Sequence, residues 1–333
     1  MALAVALLVV FRWRRAGFDW DLFTSTLLGM RWGWLAAAVV IAFATYYGRA
    51  LRWAVMIKHV KPNPNLWGLF FSTVIGFTAI VIFGRPGELV RPYLISIKER
   101  VSFSSQLAAW MLERICDLLS ALLIFAFALV QVGRSGAKVG PTIQWAMKTG
   151  GYVAGVVGLL SVLVIFLLRQ FSGQMQQRIL GGLEILPERW RPKVEELVTS
   201  FVLGVESTRR RSGLLWLFLY TVLEWGLITL CYLALFRSFP ALANLGFTDA
   251  FILIGFVAFG SLVQIPGVGG GVQVVSIVVL TEIFRLPLEI ATGMALVIWC
   301  VTFVAIVPLG LLLLLDEGIN WRKFKEMEGT TRV

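Results

Sequence analysis

The chain holds one histidine and three cysteines in 333 residues, and only 15% of its residues are charged. A lone histidine excludes a multi-histidine metal site. His59 stands beside Lys58 and Lys61, where an interfacial helix end is expected. Cys116, Cys231 and Cys300 lie inside apolar runs without CxxC spacing, so they read as small hydrophobes. Neither a metal site nor a disulfide framework is expected. HxxxxD and GxSxG motifs are missing, and no serine or threonine has a companion histidine. No catalytic residue and no cofactor are therefore expected. The alternating ten-residue segments of a transmembrane β-barrel are missing too.

What is abundant is apolar surface. Hydrophobic residues make up 58% of the chain and the mean hydropathy is +0.83. Soluble domains hold about 45–50% apolar and about 25% charged residues. Long runs recur at 35–44, 121–130, 153–168, 214–236 and 294–315. A bilayer core of roughly 30 Å takes about 20 residues of helix, and only elements with every backbone hydrogen bond made can cross it. The fold class expected is all-α, a polytopic helical membrane protein. The net charge of +11 gathers in loops beside the apolar runs, as topology and anionic headgroups favour, so no nucleic-acid partner is expected.

Spans are expected near 34–57, 103–132, 149–168, 214–236 and 290–315. The first run, 1–11, is too short to cross and its arginines follow it, so it reads as the end of a helix and not as a signal peptide. Segment 12–34 is expected at the interface. A single transmembrane domain covers 1–318, with repeat one at about 32–168, a cytoplasmic amphipathic linker at 169–211, repeat two at about 212–315 and a cytoplasmic tail at 319–333.

Two regions break the pattern. Apolar 66–83 is interrupted by Gly84-Arg85-Pro86-Gly87-Glu88, and apolar 247–265 by Pro266-Gly267-Val268-Gly269-Gly270. Gly76-Phe77 before the first break is echoed by Gly255-Phe256 before the second. Each region is expected to be a broken, re-entrant helical hairpin, because irregular backbone at membrane depth survives only inside protein or around a cavity. Paired interruptions in corresponding halves point to a transporter site. With the end bearing Arg49, Arg52 and Lys61 cytoplasmic, Lys and Arg favour the inside and the hairpins enter from opposite faces, which makes the repeats inverted. The cluster Arg12, Arg14, Arg15 and Arg31 then falls outside, against that rule.

Arg85, Glu88, Arg91, Glu113, Arg114 and Asp117 lie at membrane depth in this reading, where each charge costs roughly 2.5–3.5 kcal/mol on insertion scales. Glu113 and Asp117 are four apart and share a helix face. These six are the expected headgroup site, the arginines offering planar forks of donors to phosphate and the carboxylates balancing them. The competing reading is a set of ion pairs that only fix helix register. Pro86, Gly87, Pro266, Gly267, Gly269 and Gly270 are expected to shape the hairpin tips. Arg49, Arg52, Glu224, Gln264 and Gln273 are secondary candidates.

Four ordered motifs carry a family resemblance: Arg49-Ala-Leu-Arg52-Trp53, Pro86-Gly87-Glu88-Leu-Val-Arg91, Glu113-Arg114-Ile-Cys-Asp117, and Leu262-Val-Gln264-Ile-Pro266-Gly267-Val-Gly269-Gly270. Together they resemble the lysylphosphatidylglycerol synthase transmembrane-region family over about residues 1–318. The resemblance implies a flippase-like protein of a bacterial or archaeal cytoplasmic membrane. It further implies membrane lipids as partners: an anionic phospholipid, a glycolipid or an isoprenoid-linked lipid. Synthase activity is not carried over, since relatives that aminoacylate lipid have a further soluble domain. Residues 84–88 lack a residue that many relatives hold between the proline and Gly-Glu, and Gln273 stands where an acidic residue is common. Two other readings stay open: a scaffold for a cell-envelope synthase docking through 192–205, and a membrane-embedded transferase. A homodimer or an envelope-synthase partner is compatible with each.

Overall fold

The computed structural model describes residues 17–58, 60–134, 140, 144–145, 148–152, 155–156, 158–160, 163, 211–261, 264–265 and 269–316. Apart from one two-residue β-ladder, every regular element among them is helical. Five helices are long and apolar enough to cross a membrane: Trp32–Ile57, Leu66–Phe83, Phe103–Arg134, Gly213–Ser238 and Leu288–Asp316. Expectations for His59, the 1–11 run, the 169–211 linker and the tail fall outside the described residues, as does most of the 149–168 span.

A short interfacial-type helix, α1 (Trp20–Leu28), is capped by the Asp19 carboxylate, which accepts from the Asp21 and Leu22 amides. Then α2 (Trp32–Ile57) runs the depth of the bundle. It packs along α6 (Arg211–Ser238) through small residues, Ala38 and Ala42 among them, as close helix contact in lipid demands. The pair is antiparallel: the Arg31 amide donates to the Ser238 carbonyl (2.8 Å) at one end, and Arg49 reaches Glu224 further along.

Between them lies the first hairpin. Helix α3 (Leu66–Phe83) is apolar all round, capped by Asn65 and stopped at Gly84, whose φ of 72° suits glycine. A 3₁₀ turn (Arg85–Leu89) follows, with Pro86 in its first turn, and then α4 (Val90–Glu99). Pro92 sits in the first turn of α4, where a missing N–H costs nothing. By length and composition α3 suffices to cross a membrane. The Glu99 carboxylate accepts from the Asn65 amide at 3.1 Å, so the end of α4 lies at the start of α3. Gly76 makes the arms touch: a Cβ there would lie 2.6 Å from the Cβ of Arg91. A Cβ on Gly87 would overlap the backbone of Ala79, so this glycine is what lets the tip close.

Gly76→Ala is accordingly expected to lower unfolding stability in detergent by about 1–3 kcal/mol, the usual result of overpacking. Gly226, with open space around it, is the control. Gly226→Ala is expected to be neutral or slightly stabilising, as in an exposed helix.

After α5 (Phe103–Arg134) and α6, the second hairpin has the same plan. Helix α7 (Phe247–Gly260) leads to a ladder of β1 (Gln264–Ile265) with β2 (Gly269–Gly270), and α8 (Gly271–Glu282) returns. Gly260 lets the arms close, since a Cβ there would lie 2.6 Å from the Gly271 carbonyl. The last span is two helices, α9 (Leu288–Trp299) and α10 (Val307–Asp316), joined through a π turn at Cys300–Val304. The span expected near 290–315 is present as the candidate span Leu288–Asp316, and Pro308 removes a donor and loosens the ladder just past the turn.

The two halves pack reciprocally. The span after hairpin one, α5, lies on the first arm of hairpin two, where Phe125 meets Phe256 edge-on at 5.2 Å. The span after hairpin two lies on the first arm of hairpin one, where Gly310 makes room for Thr78. Hairpin one hangs from the C-terminal end of α2 and hairpin two from that of α6.

Candidate functional site

Where α2, α4, α5 and α6 converge, seven ionisable side chains form one network. Glu113 stands roughly ten residues into α5, about 15 Å from its start at 1.5 Å per residue. Its Oε1 accepts from Arg52 at 2.7 Å, and its two oxygens accept from Arg91 at 3.0 and 2.9 Å. Arg52 also pairs with Asp117 at 2.7 Å and with Glu224 at 2.9 Å. Arg49 holds Glu224 at 2.6 Å, and Arg114 holds Asp117 at 3.1 Å. Periodicity explains the supply: Arg49 and Arg52 are three apart on α2, and Glu113 and Asp117 four apart on α5. Each helix therefore presents a same-signed pair to its neighbour.

Arg91 brings the hairpin into this network. Its Nη2 donates to the Arg49 carbonyl at 3.1 Å, and its guanidinium lies over the Trp53 ring, 4.1 Å from the centroid. The Trp53 indole N–H donates to Gln106 at 2.9 Å, and both side chains are fully buried. Leu69, Ile95 and Leu112 pack around Trp53. Trp53, Gln106 and the Gly76 contact are not among the site residues expected from the sequence. Trp53 sits one residue beyond Arg52 inside the recognised motif, the only signal that pointed to it.

Exposure is graded across the network. The Arg52, Glu113 and Glu224 side chains are essentially sealed (0%, 0% and 1%), whereas Arg114 is 36% exposed. Beyond it, at the tip of hairpin one, Arg85 is 51% exposed. Arg85 pairs with Glu88 at 2.8 Å and also donates to the Ser261 carbonyl at the end of α7, a long contact at 3.4 Å. That contact joins the tip of hairpin one to the end of α7.

Of the six expected headgroup residues, Arg91, Glu113, Arg114 and Asp117 are in the network, while Arg85 and Glu88 form a separate pair at the tip. Glu88 belongs to the 3₁₀ turn and folds back onto Arg85. Three secondary candidates lie inside the network: Arg49, Arg52 or Glu224 takes part in four of its six close pairs. Gln273 has a local task, accepting from the Gly270 amide at 2.7 Å and so capping α8. Gly87 and Gly84 shape the first tip. Gly269 and Gly270 pair with Ile265 and Gln264 in the second; Pro266 and Gly267, and the side chain of Gln264, lie outside the described residues. Among the described residues no group of histidine, cysteine or carboxylate side chains is placed to hold a metal.

Fold and site together define a multi-pass helical membrane protein with a buried ionic centre beside two helical hairpins. The chain belongs to the family described as the lysylphosphatidylglycerol synthase TM region, which it matches over residues 1–310. No curated protein and no solved structure matches it.

Proposed function

We propose that the protein is a lipid transporter of flippase type in the cytoplasmic membrane, passing a polar headgroup between two inverted halves while the acyl chains stay in lipid. One observation carries the reading. A charge network set among helices of membrane-spanning length is sealed at Arg52, Glu113 and Glu224 and half-open at Arg114, and the tip of hairpin one reaches the end of α7 through Arg85. Ion pairs that served only to fix helix register would gain nothing from an open edge, and each charge carries its insertion cost of roughly 2.5–3.5 kcal/mol. Discontinuous helices at corresponding places in two halves are how secondary transporters build midplane sites.

In this reading both hairpins are re-entrant. The reciprocal packing of α5 on α7 and of α10 on α3 supports inverted repeats. With the Arg49/Arg52/Lys61 end in the cytoplasm, the C-terminal end of α10 is cytoplasmic as well. Arg91 and Arg114 engage the headgroup, Arg85 guards the entrance, and Glu113 and Asp117 hold the guanidinium groups in place between cycles. Reconstitution with labelled lipids tests the site. If Arg91→Ala and Glu113→Ala both translocate as the wild type does, the headgroup pathway lies elsewhere.

A further inference from the structure

The ion pairs do not balance. Arg49, Arg52, Arg91 and Arg114 share three carboxylates, Glu113, Asp117 and Glu224, which leaves one positive charge in excess among the described residues. Each carboxylate lies within 3.1 Å of at least one guanidinium and is counted as ionised. The neighbouring Arg85–Glu88 pair is neutral and does not change the sum. The Nε–H groups of Arg91 and Arg114 donate to nothing among the described residues, although both atoms are buried. An uncompensated cation in a low-dielectric interior is costly, so a site built this way is completed by an anion.

Resting on the transport reading above, we propose that the network selects a lipid headgroup with one net negative charge: a phosphodiester that brings no cation of its own. Such a group neutralises the excess and offers acceptor oxygens to Arg91 and Arg114. A zwitterionic headgroup carries the same phosphodiester but leaves the excess standing. A phosphomonoester with two negative charges overshoots it. The arginine fork suits phosphate oxygens in any of these, so net charge is what separates them.

Native mass spectrometry on the full, delipidated chain tests this with equimolar phosphatidylglycerol, phosphatidylethanolamine and phosphatidic acid. The wild type is expected to retain phosphatidylglycerol at least about tenfold over phosphatidylethanolamine, the effect of one charge-assisted hydrogen bond. Two variants move the balance in opposite directions. Asp117→Asn raises the excess to two and is expected to shift preference to phosphatidic acid. Arg114→Gln, at a half-open position, removes the excess and is expected to abolish discrimination between the first two lipids. Equal retention of all three by the wild type overturns the proposal, as does a ranking that neither variant changes. Displacement of bound phosphatidylglycerol by inorganic phosphate assigns the site to a soluble anion and overturns it too. Binding and translocation are read separately. Charge-selective binding without movement of labelled lipid supports this inference and removes the transport reading; movement without charge preference does the reverse.

Discussion

Arg52→Met is expected to lower unfolding stability by about 3–5 kcal/mol, the cost of stranding buried charges by removing one partner. Arg52 is fully buried and holds Glu113, Asp117 and Glu224 at 2.7, 2.7 and 2.9 Å. Methionine fills similar volume with no donor, so the loss is electrostatic and leaves little cavity. Three carboxylates would then share Arg49, Arg91 and Arg114, and Glu224 would keep Arg49 alone as a close partner. Adding Glu224→Leu is expected to recover part of the loss, because a buried pair replaced on both sides by apolar groups strands nothing. Denaturant unfolding in detergent, run as a double-mutant cycle, reads both effects. A single-variant cost below about 1 kcal/mol, the range of an exposed surface pair, contradicts the packing described.

Loss of translocation in Arg91→Ala and Glu113→Ala is the second large effect, expected at roughly 10–100-fold, the value of a charge-assisted hydrogen bond or two at a desolvated site. Arg91 ties the first hairpin to the ionic centre through Glu113, the Arg49 carbonyl and the face of Trp53, and Arg49 adds a second link over the Phe77 ring at 4.9 Å. Truncation removes a headgroup donor and releases the hairpin together. Arg91→Lys separates these roles. It keeps the charge but loses the fork and the flat contact with Trp53, and is expected to fall between alanine and wild type. Initial rates with labelled lipid in proteoliposomes, normalised to inserted protein, make the comparison.

Helical spans were legible in the sequence because apolar length at this scale has one outcome in a bilayer. The hairpins were legible as well: Gly84 and Pro86 in one half, and the glycine run in the other, interrupt segments otherwise apolar all round. Ionisable residues within those segments marked the site. What one dimension hides is pairing between helices. Periodicity puts Glu113 and Asp117 on one face, but only the antiparallel packing of α2 on α6 brings Glu224 to Arg49 and Arg52. Those arginines sit toward the end of their span and yet form the hub of the ionic network. Trp53, the next residue, is hidden for the same reason. Its indole is satisfied by Gln106 from another helix, a contact that no local pattern announces.

A density map of the protein in lipid nanodiscs, at a resolution that shows headgroups, tests most directly whether the ionic centre borders a lipid path. The account predicts headgroup density between the two hairpin tips, in hydrogen-bond reach of Arg91 and Arg114, with acyl chains running outward into the bilayer. Tips closed over a sealed network, with lipid confined to the outer surface of the bundle, contradict it.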